Sequence, residues 1–124
     1  MYPLISVWSI LPGKEIMAAA ALDELAAAVE LTEPHTLAYL VHRPDLSQAS
    51  LPTPPACQVV FYEIYQNREA FIAHINGIAF QAFLKKAPEL FLYNGKKTEP
   101  YSSLEIFSLK AGFIRSDVLP PKDI

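Results

Sequence analysis

VVFYEIYQNREAFIAHINGIAFQAFLKK, residues 59–86, reads as a strand, a tight capped turn and an amphipathic helix. In the strand, Val59, Phe61, Glu63 and Tyr65 fall on one face and Val60, Tyr62 and Ile64 on the other, the period-2 alternation of a pleated chain. Both faces are largely apolar, which marks a central strand covered on both sides. Asn67 stands where a helix N-cap belongs, and Glu69 follows where an acid complements the helix dipole. Behind them Phe71, Ile75, Ile78, Ala79, Ala82 and Phe83 recur at helical spacing and predict the buried stripe, with His74 beside it. Glycine costs about 1 kcal/mol relative to alanine inside a helix, so Gly77 predicts a kink or break.

Outward from this unit the same patterning continues. Residues 4–11 (LISVWSIL) form a first strand that sets Leu4, Ser6, Trp8 and Ile10 on one face, closed by Pro12-Gly13. Residues 14–31 are alanine-rich, free of proline and glycine, and predict a helix of four to five turns ended by Thr32-Glu33-Pro34. Residues 36–42 (TLAYLVH) are a second strand. Residues 43–58 hold four of the eleven prolines and predict a long insertion loop, a lid or partner-contacting arm if it is not simply solvated. Ala87-Pro88 is expected to stop the second helix, and Asn94-Gly95 signals a small hairpin over residues 90–99. Residues 103–109 are the last strand. The tail, residues 110–124, carries Phe113, Ile114, Val118 and Leu119, too apolar for a free end, and is expected to dock on its own or a neighbouring subunit.

The order strand, helix, strand, strand, helix, strand is the split βαβ, ferredoxin-like α+β arrangement with an antiparallel sheet. Two helices cover only one face of a four-stranded sheet, yet the strands are apolar on both. That mismatch predicts a homodimer with the two sheets face to face.

Composition bounds the function. A chain of 124 residues is the size of one domain, and 52% hydrophobic residues are enough for a core. The charged fraction of 19% lies below the roughly 25% usual in soluble domains, so part of the apolar surplus is expected between subunits. Residues 1–66 set two basic against seven acidic side chains, and the remainder carries the positive balance as the pairs Lys85-Lys86 and Lys96-Lys97. Pairs of this kind make no basic stripe, so no nucleic-acid partner is expected. Cys57 is alone, which leaves no intramolecular disulfide and no cysteine cluster for a metal. No apolar run approaches the 18 or so residues of a membrane span and no charged leader precedes one, so no membrane partner and a cytoplasmic location are expected.

No cofactor fingerprint is present. The four glycines build no phosphate loop, the three histidines (His35, His42, His74) have no metal-ligand spacing, and there is neither a Gly-x-Ser-x-Gly elbow nor a close carboxylate pair. No metal and no cofactor are therefore expected. What remains is a pocket inventory. His74 is the best titratable candidate, since imidazole exchanges a proton near neutral pH, and Glu63 or Tyr65 would reach it if its helix face meets the sheet. Trp8, Tyr39, Phe80 and Phe83 would make a flat aromatic slot for a planar small molecule, with Ser6 offering a hydroxyl beside Trp8. The plainer alternative for each is a satisfied flank histidine and ordinary core aromatics.

The pattern Tyr62-Glu63-Ile64-Tyr65, a polar turn, then Glu69-Ala70-Phe71-Ile72-Ala73-His74 and a later Phe80 resembles the antibiotic biosynthesis monooxygenase family. The resemblance implies a dimeric α/β barrel of ferredoxin-like subunits. It also implies cofactor-independent oxygenation of electron-rich aromatics such as polyphenols or quinols, the deprotonated substrate supplying electrons to dioxygen. Such chemistry needs a base, a dry apolar slot and donors for a developing oxyanion; His74 and Tyr65 would act, with Ser6, Trp8, Tyr39, Glu63, Phe80 and Phe83 around the substrate. Departures qualify the likeness. Many members carry a second histidine where this chain has Ala79, and haem-degrading relatives carry Asn, Trp and His where this chain has Ser6, Tyr65 and Leu84, so haem ligation is not expected. Three functions stay open at this point: a cofactor-free monooxygenase, a proton-transfer enzyme (isomerase or decarboxylase) on the same scaffold, and a non-catalytic dimeric binding protein.

Overall fold

The computed structural model describes residues 1–93 and 99–118. The elements are β1 (Tyr2–Ser9), α1 (Glu15–Thr32), β2 (Thr36–His42), β3 (Gln58–Tyr65), α2 (Arg68–Asn76), α3 (Ile78–Leu90) and β4 (Tyr101–Ile106). The four strands form one antiparallel sheet in the order β2-β3-β1-β4, the ferredoxin-like topology expected from the sequence. β3 and β1 are the inner pair, and their register sets Trp8 opposite Val59, Ser6 opposite Phe61 and Leu4 opposite Glu63. These residues share the face that the helices cover, and Leu4, Trp8, Val59 and Phe61 are buried there.

The N-cap reading holds in detail: the Asn67 side chain accepts from the backbone N–H of Ala70 at 2.9 Å, with Glu69 in the first turn. The helix breaks at Gly77, which ends α2 and caps α3 in an extended conformation. A Cβ at this position would stand 3.0 Å from the Ala73 carbonyl oxygen and 3.3 Å from that of His74, so glycine suits the close approach here rather than an unusual φ. The break also re-phases the buried stripe. Phe71 and His74 face inward from α2, and Ala79, Phe83, Ala87 and Leu90 from α3. Ile78 and Ala82, expected inside, are instead exposed, because the apolar register restarts after Gly77.

Other boundaries differ for local reasons. α3 runs through Pro88 instead of stopping before it. Pro88 forgoes the helical bond to the Leu84 carbonyl, and burial of Ala87, Leu90 and Phe91 against the core outweighs that loss and the restriction that proline imposes. Leu90 is thus helical and Phe91 bridges to Ile10, so the first arm of the expected hairpin is absent; the Asn94-Gly95 turn lies outside the described residues. β1 begins two residues earlier than expected, where Tyr2 pairs with Tyr65, and β4 ends at Ile106, opposite Leu4. Beyond it Phe107 still donates to the Pro3 carbonyl, but the chain that follows is exposed: Phe113 is 78% and Val118 66% accessible, so this part of the tail does not dock on its own subunit. The loop of residues 43–58 has no helix or strand of its own before β3. Arg43 closes its base by donating to the carbonyls of Gln58 (3.0 Å) and Ala56 (2.7 Å).

Beyond Ile64 and its partner Pro3, which are buried, the second face of β3 is open. Val60 is half-buried and Tyr62 exposed on the face away from the helices, where Ile5, Val7 and Leu40 are also partly accessible. We propose that a second copy covers this face. A stable sheet-to-sheet interface of this kind buries upward of about 2,000 Å² in total. Light scattering at micromolar concentration is expected to give a dimer, and Val60→Asp to shift it to monomer; a wild-type monomer would contradict the pairing.

Candidate active site

Between the sheet and the break in the second helix lies a cavity of about 90 Å³, lined by Ser6, Trp8, Tyr39, Phe61, Glu63, Phe71, His74, Ile75, Phe80, Tyr101 and Leu104. Alternation along the strands builds its floor: Ser6 and Trp8 from β1, Phe61 and Glu63 from β3 and Tyr39 from β2 project to the same side. α2 supplies the roof with His74, and α3 the far wall with Phe80. Trp8 is the hub of the aromatic packing, with ring centroids 5.3 Å from Phe61, 5.6 Å from Phe83 and 5.2 Å from Phe91.

His74 is 3% exposed and ringed by Phe80 (5.0 Å), Tyr39 (5.2 Å) and Tyr65 (5.4 Å between centroids). Its Nδ1 lies 2.8 Å from Oε1 of Glu33, a residue of the turn between α1 and β2. A carboxylate only accepts, so Nδ1 carries the proton and Nε2 is the bare nitrogen. Burial lowers the pKa of His74, and the Glu33 charge and hydrogen bond offset this only in part. The contact at neutral pH is therefore a hydrogen bond from a neutral imidazole to a carboxylate, not a full ion pair.

Glu63 is the second titrating group. Burial pushes its carboxyl up to about 7, a hydrogen bond from Tyr65 opposes the rise, and the charge of Glu33 adds to it. Tyr39 and Tyr65 are held well above the ordinary phenol range, chiefly by burial and then by Glu63, so both stay protonated. Ser6 accepts from the Trp8 indole N–H at 2.7 Å and donates to the Ser103 carbonyl at 3.2 Å. Its proton is thereby committed to the fold, contrary to the expectation of a free hydroxyl.

Of the residues singled out in the sequence, Ser6, Trp8, Tyr39, Glu63, His74 and Phe80 line one cavity. Tyr65 stands behind Glu63 as its donor, and Phe83 packs behind Trp8 and Phe80 in the core. The expected partner of His74 was Glu63 or Tyr65; the ring nitrogen is taken by Glu33 instead. Glu33 lies 41 residues away in a segment that reads only as a helix terminator, so no local signal marks it. Among the described residues no group of three or more His, Cys, Asp or Glu side chains is placed to hold a metal ion, and no helix is long and apolar enough to cross a membrane.

The family model of the antibiotic biosynthesis monooxygenases matches residues 1–86, which include the β1 face, Glu33, Tyr39, Glu63 and His74. The chain belongs to this family. Solved structures similar to this antibiotic biosynthesis monooxygenase family member include a Mycobacterium tuberculosis protein with 16% identity and a TM-score of 0.67, covering 90% of this chain and 96% of that one. Another, from Nitrosomonas europaea and named as a candidate antibiotic biosynthesis monooxygenase, has 17% identity and a TM-score of 0.67, with 90% and 100% covered. One from Deinococcus radiodurans with the same naming has 20% identity and a TM-score of 0.62, with 93% and 96% covered. Identities this low establish the common fold. No curated protein matches the sequence.

Glu63 makes stability depend on pH. Its carboxyl ionises near 4.5 when unfolded and near 7 when folded, so the unfolded chain loses this proton first as pH rises. The folded state accordingly loses stability from about pH 4.5 upward, until both states are ionised above 7. The full effect is on the order of 3 kcal/mol. Glu63→Gln, which keeps an acceptor for Tyr65, is expected to raise the unfolding free energy measured by urea titration at pH 8.5 by this order and to change it little at pH 4.5. Equal effects at both pH values would contradict a buried carboxylate.

Proposed function

We propose that this protein oxygenates a small hydroxylated, quinol-like aromatic compound without a metal or flavin, the substrate itself reducing dioxygen. The observation that carries this reading is a buried His74, its Nδ1 held 2.8 Å from Glu33, on the wall of a largely aromatic cavity that also holds Glu63, in a chain of the antibiotic biosynthesis monooxygenase family. A base with a lowered pKa is unprotonated at neutral pH and ready to accept a phenolic proton. The apolar walls exclude water and strengthen the charges that develop. Protonated Glu63 has a hydrogen to give to the oxygen on which negative charge grows.

The chemistry balances as follows. His74 takes the hydroxyl proton, the electron-rich ring passes electrons to dioxygen as a carbon–oxygen bond forms, and the imidazolium returns the proton to the outer peroxide oxygen to give a hydroperoxide. The hydroperoxide then loses the remaining proton from that carbon while its O–O bond breaks. A ring CH2, in the keto tautomer, thus becomes C=O, one oxygen atom stays in the product and the other leaves as water. The cavity is smaller than the roughly 150 Å³ cavity known to take benzene, so a ring enters as the partly exposed Phe80, Tyr101 and Leu104 give way.

A second reading has its own support. His74, lowered, and Glu63, raised, are a base and an acid on one cavity, the pairing that moves a proton across an enolisable substrate. Oxygen uptake with a panel of polyphenols separates the two. Uptake with one water formed per carbonyl is expected, and His74→Gln is expected to lower kcat/KM by about 10²–10⁴-fold. The wild-type profile should rise through a pKa below 6.5 as His74 deprotonates and fall through about 7 as Glu63 loses its proton; Glu63→Gln should abolish the alkaline fall. No uptake across the panel, with His74-dependent proton exchange in enolisable compounds, would favour the proton-transfer reading. Turnover by His74→Gln within a few-fold of wild type would remove His74 from the mechanism.

A further inference from the structure

Glu33 is bound on one side, unsatisfied on the other, and placed where nothing in the chemistry above uses it. Its Oε1 accepts both from His74 Nδ1 and from the Thr36 hydroxyl, each at 2.8 Å. Its Oε2 is buried without a hydrogen-bond partner. That oxygen would lie 3.7 Å from a Cβ at Gly77, the residue that caps α3. α3 has no acidic residue in its first turn and no side-chain cap, so the carboxylate from the α1–β2 turn is the negative charge beside the positive end of this 13-residue helix. His74 stands in the wall between the inner cavity and a second one of about 270 Å³, lined by Thr32, Glu33, His35, Thr36, Ala73 and Gly77 among others.

We propose that Glu33 is the positioning residue of the site: it locks His74 as the Nδ1–H tautomer with Nε2 bare toward the inner cavity, and it stabilises the imidazolium that forms when Nε2 takes a proton. The first half rests on the Nδ1–Oε1 contact and on the inner cavity that His74 lines; the second rests on the reading of His74 as base. Other titratable groups face the ring, Tyr39 from β2 and Glu63 and Tyr65 from β3, with His35 in the adjoining turn. Among the described residues only Glu33 reaches a ring nitrogen within hydrogen-bonding distance. A carboxylate with one oxygen doubly bonded by donors and the other without any is under-solvated. A positive charge 2.8 Å away compensates it, so imidazolium is favoured at the moment of transfer while the resting ring stays neutral. This is the orienting role that the third member of a hydrolase triad performs, here in a site with no serine nucleophile.

The test begins with ¹⁵N NMR of the histidine rings in the full chain, His74 being assigned by its loss in His74→Gln. At pH 8 the wild-type protein is expected to show a protonated Nδ1 and an unprotonated Nε2. In Glu33→Gln the His74 titration midpoint is expected to move to lower pH, because the charge that favours imidazolium is gone. With a turned-over phenol, the same variant is expected to lose kcat by at least about tenfold with KM within a few-fold. Thr36→Val removes the other donor to Oε1 and disturbs the same turn; it is expected to keep the tautomer and most of the turnover. An Nε2–H tautomer in the wild type overturns the proposal, and so does an unmoved midpoint in Glu33→Gln. The expected tautomer and shift with no oxygen uptake by the wild type would uphold the tautomer lock while refuting the oxygenase reading.

Discussion

The close approach of Gly77 to the carbonyls of Ala73 and His74 is the constraint on which the site depends. A Cβ there would crowd both carbonyls by a few tenths of an ångström, so glycine suits the passage, which breaks one amphipathic helix into two. On the near side of the break His74, in the last turn of α2, faces the sheet. On the far side α3 restarts its stripe with Ala79 and Phe83, which carries Phe80 round to within 5.0 Å of the histidine ring. An unbroken helix would keep the stripe through Ile78 and Ala82, now exposed, and would leave His74 on its flank.

The break also brings a helix N-terminus beside Glu33, and with it a cluster of ionisable groups that few cores accommodate. His74, Glu33, Glu63, Tyr39 and Tyr65 influence one another across one small cavity. Two carboxylates share an apolar surrounding, and their repulsion is one reason Glu63 holds its proton to about 7. Such an arrangement costs stability, and it persists because the aromatic shell around Trp8 contributes a large buried area. Function and packing are thus drawn from the same residues. Trp8 is both cavity wall and core hub, and Ser6 is both cavity wall and the bridge that ties the indole to β4 through Ser103.

The uncovered face of the sheet completes the physical description. The helices lie on one side only, so on the other Ile5, Val7, Leu40 and Val60 are half-accessible and Tyr62 is exposed, while Pro3 and Ile64 are buried. The exposed tail, with Phe113, Ile114 and Val118, adds further apolar surface that its own subunit leaves open. The proposed second copy would reconcile both features with a low charged fraction, and it would leave the cavity, which sits on the opposite face of the sheet, within one subunit.

Period-2 alternation in three strands, the alanine-rich helix, the Asn67 cap and the glycine at 77 are local signals, and each was legible in the chain because strand pleat, propensity and capping act over a few residues. They were enough for the element order, and hence the sheet, and for six of the cavity-lining side chains: Ser6, Trp8, Tyr39, Glu63, His74 and Phe80. What the chain did not reveal is non-local. Pro88 reads as a terminator until the burial of Ala87 and Leu90 carries the helix past it. Ser6 reads as a free hydroxyl until Ser103, 97 residues away, takes its proton. Glu33 reads as the end of a helix until the fold sets it 2.8 Å from His74. Sequence by itself determined which faces are apolar and where helices begin. Only the tertiary structure decided which polar atoms meet, because a buried donor takes whichever acceptor the packing brings within reach.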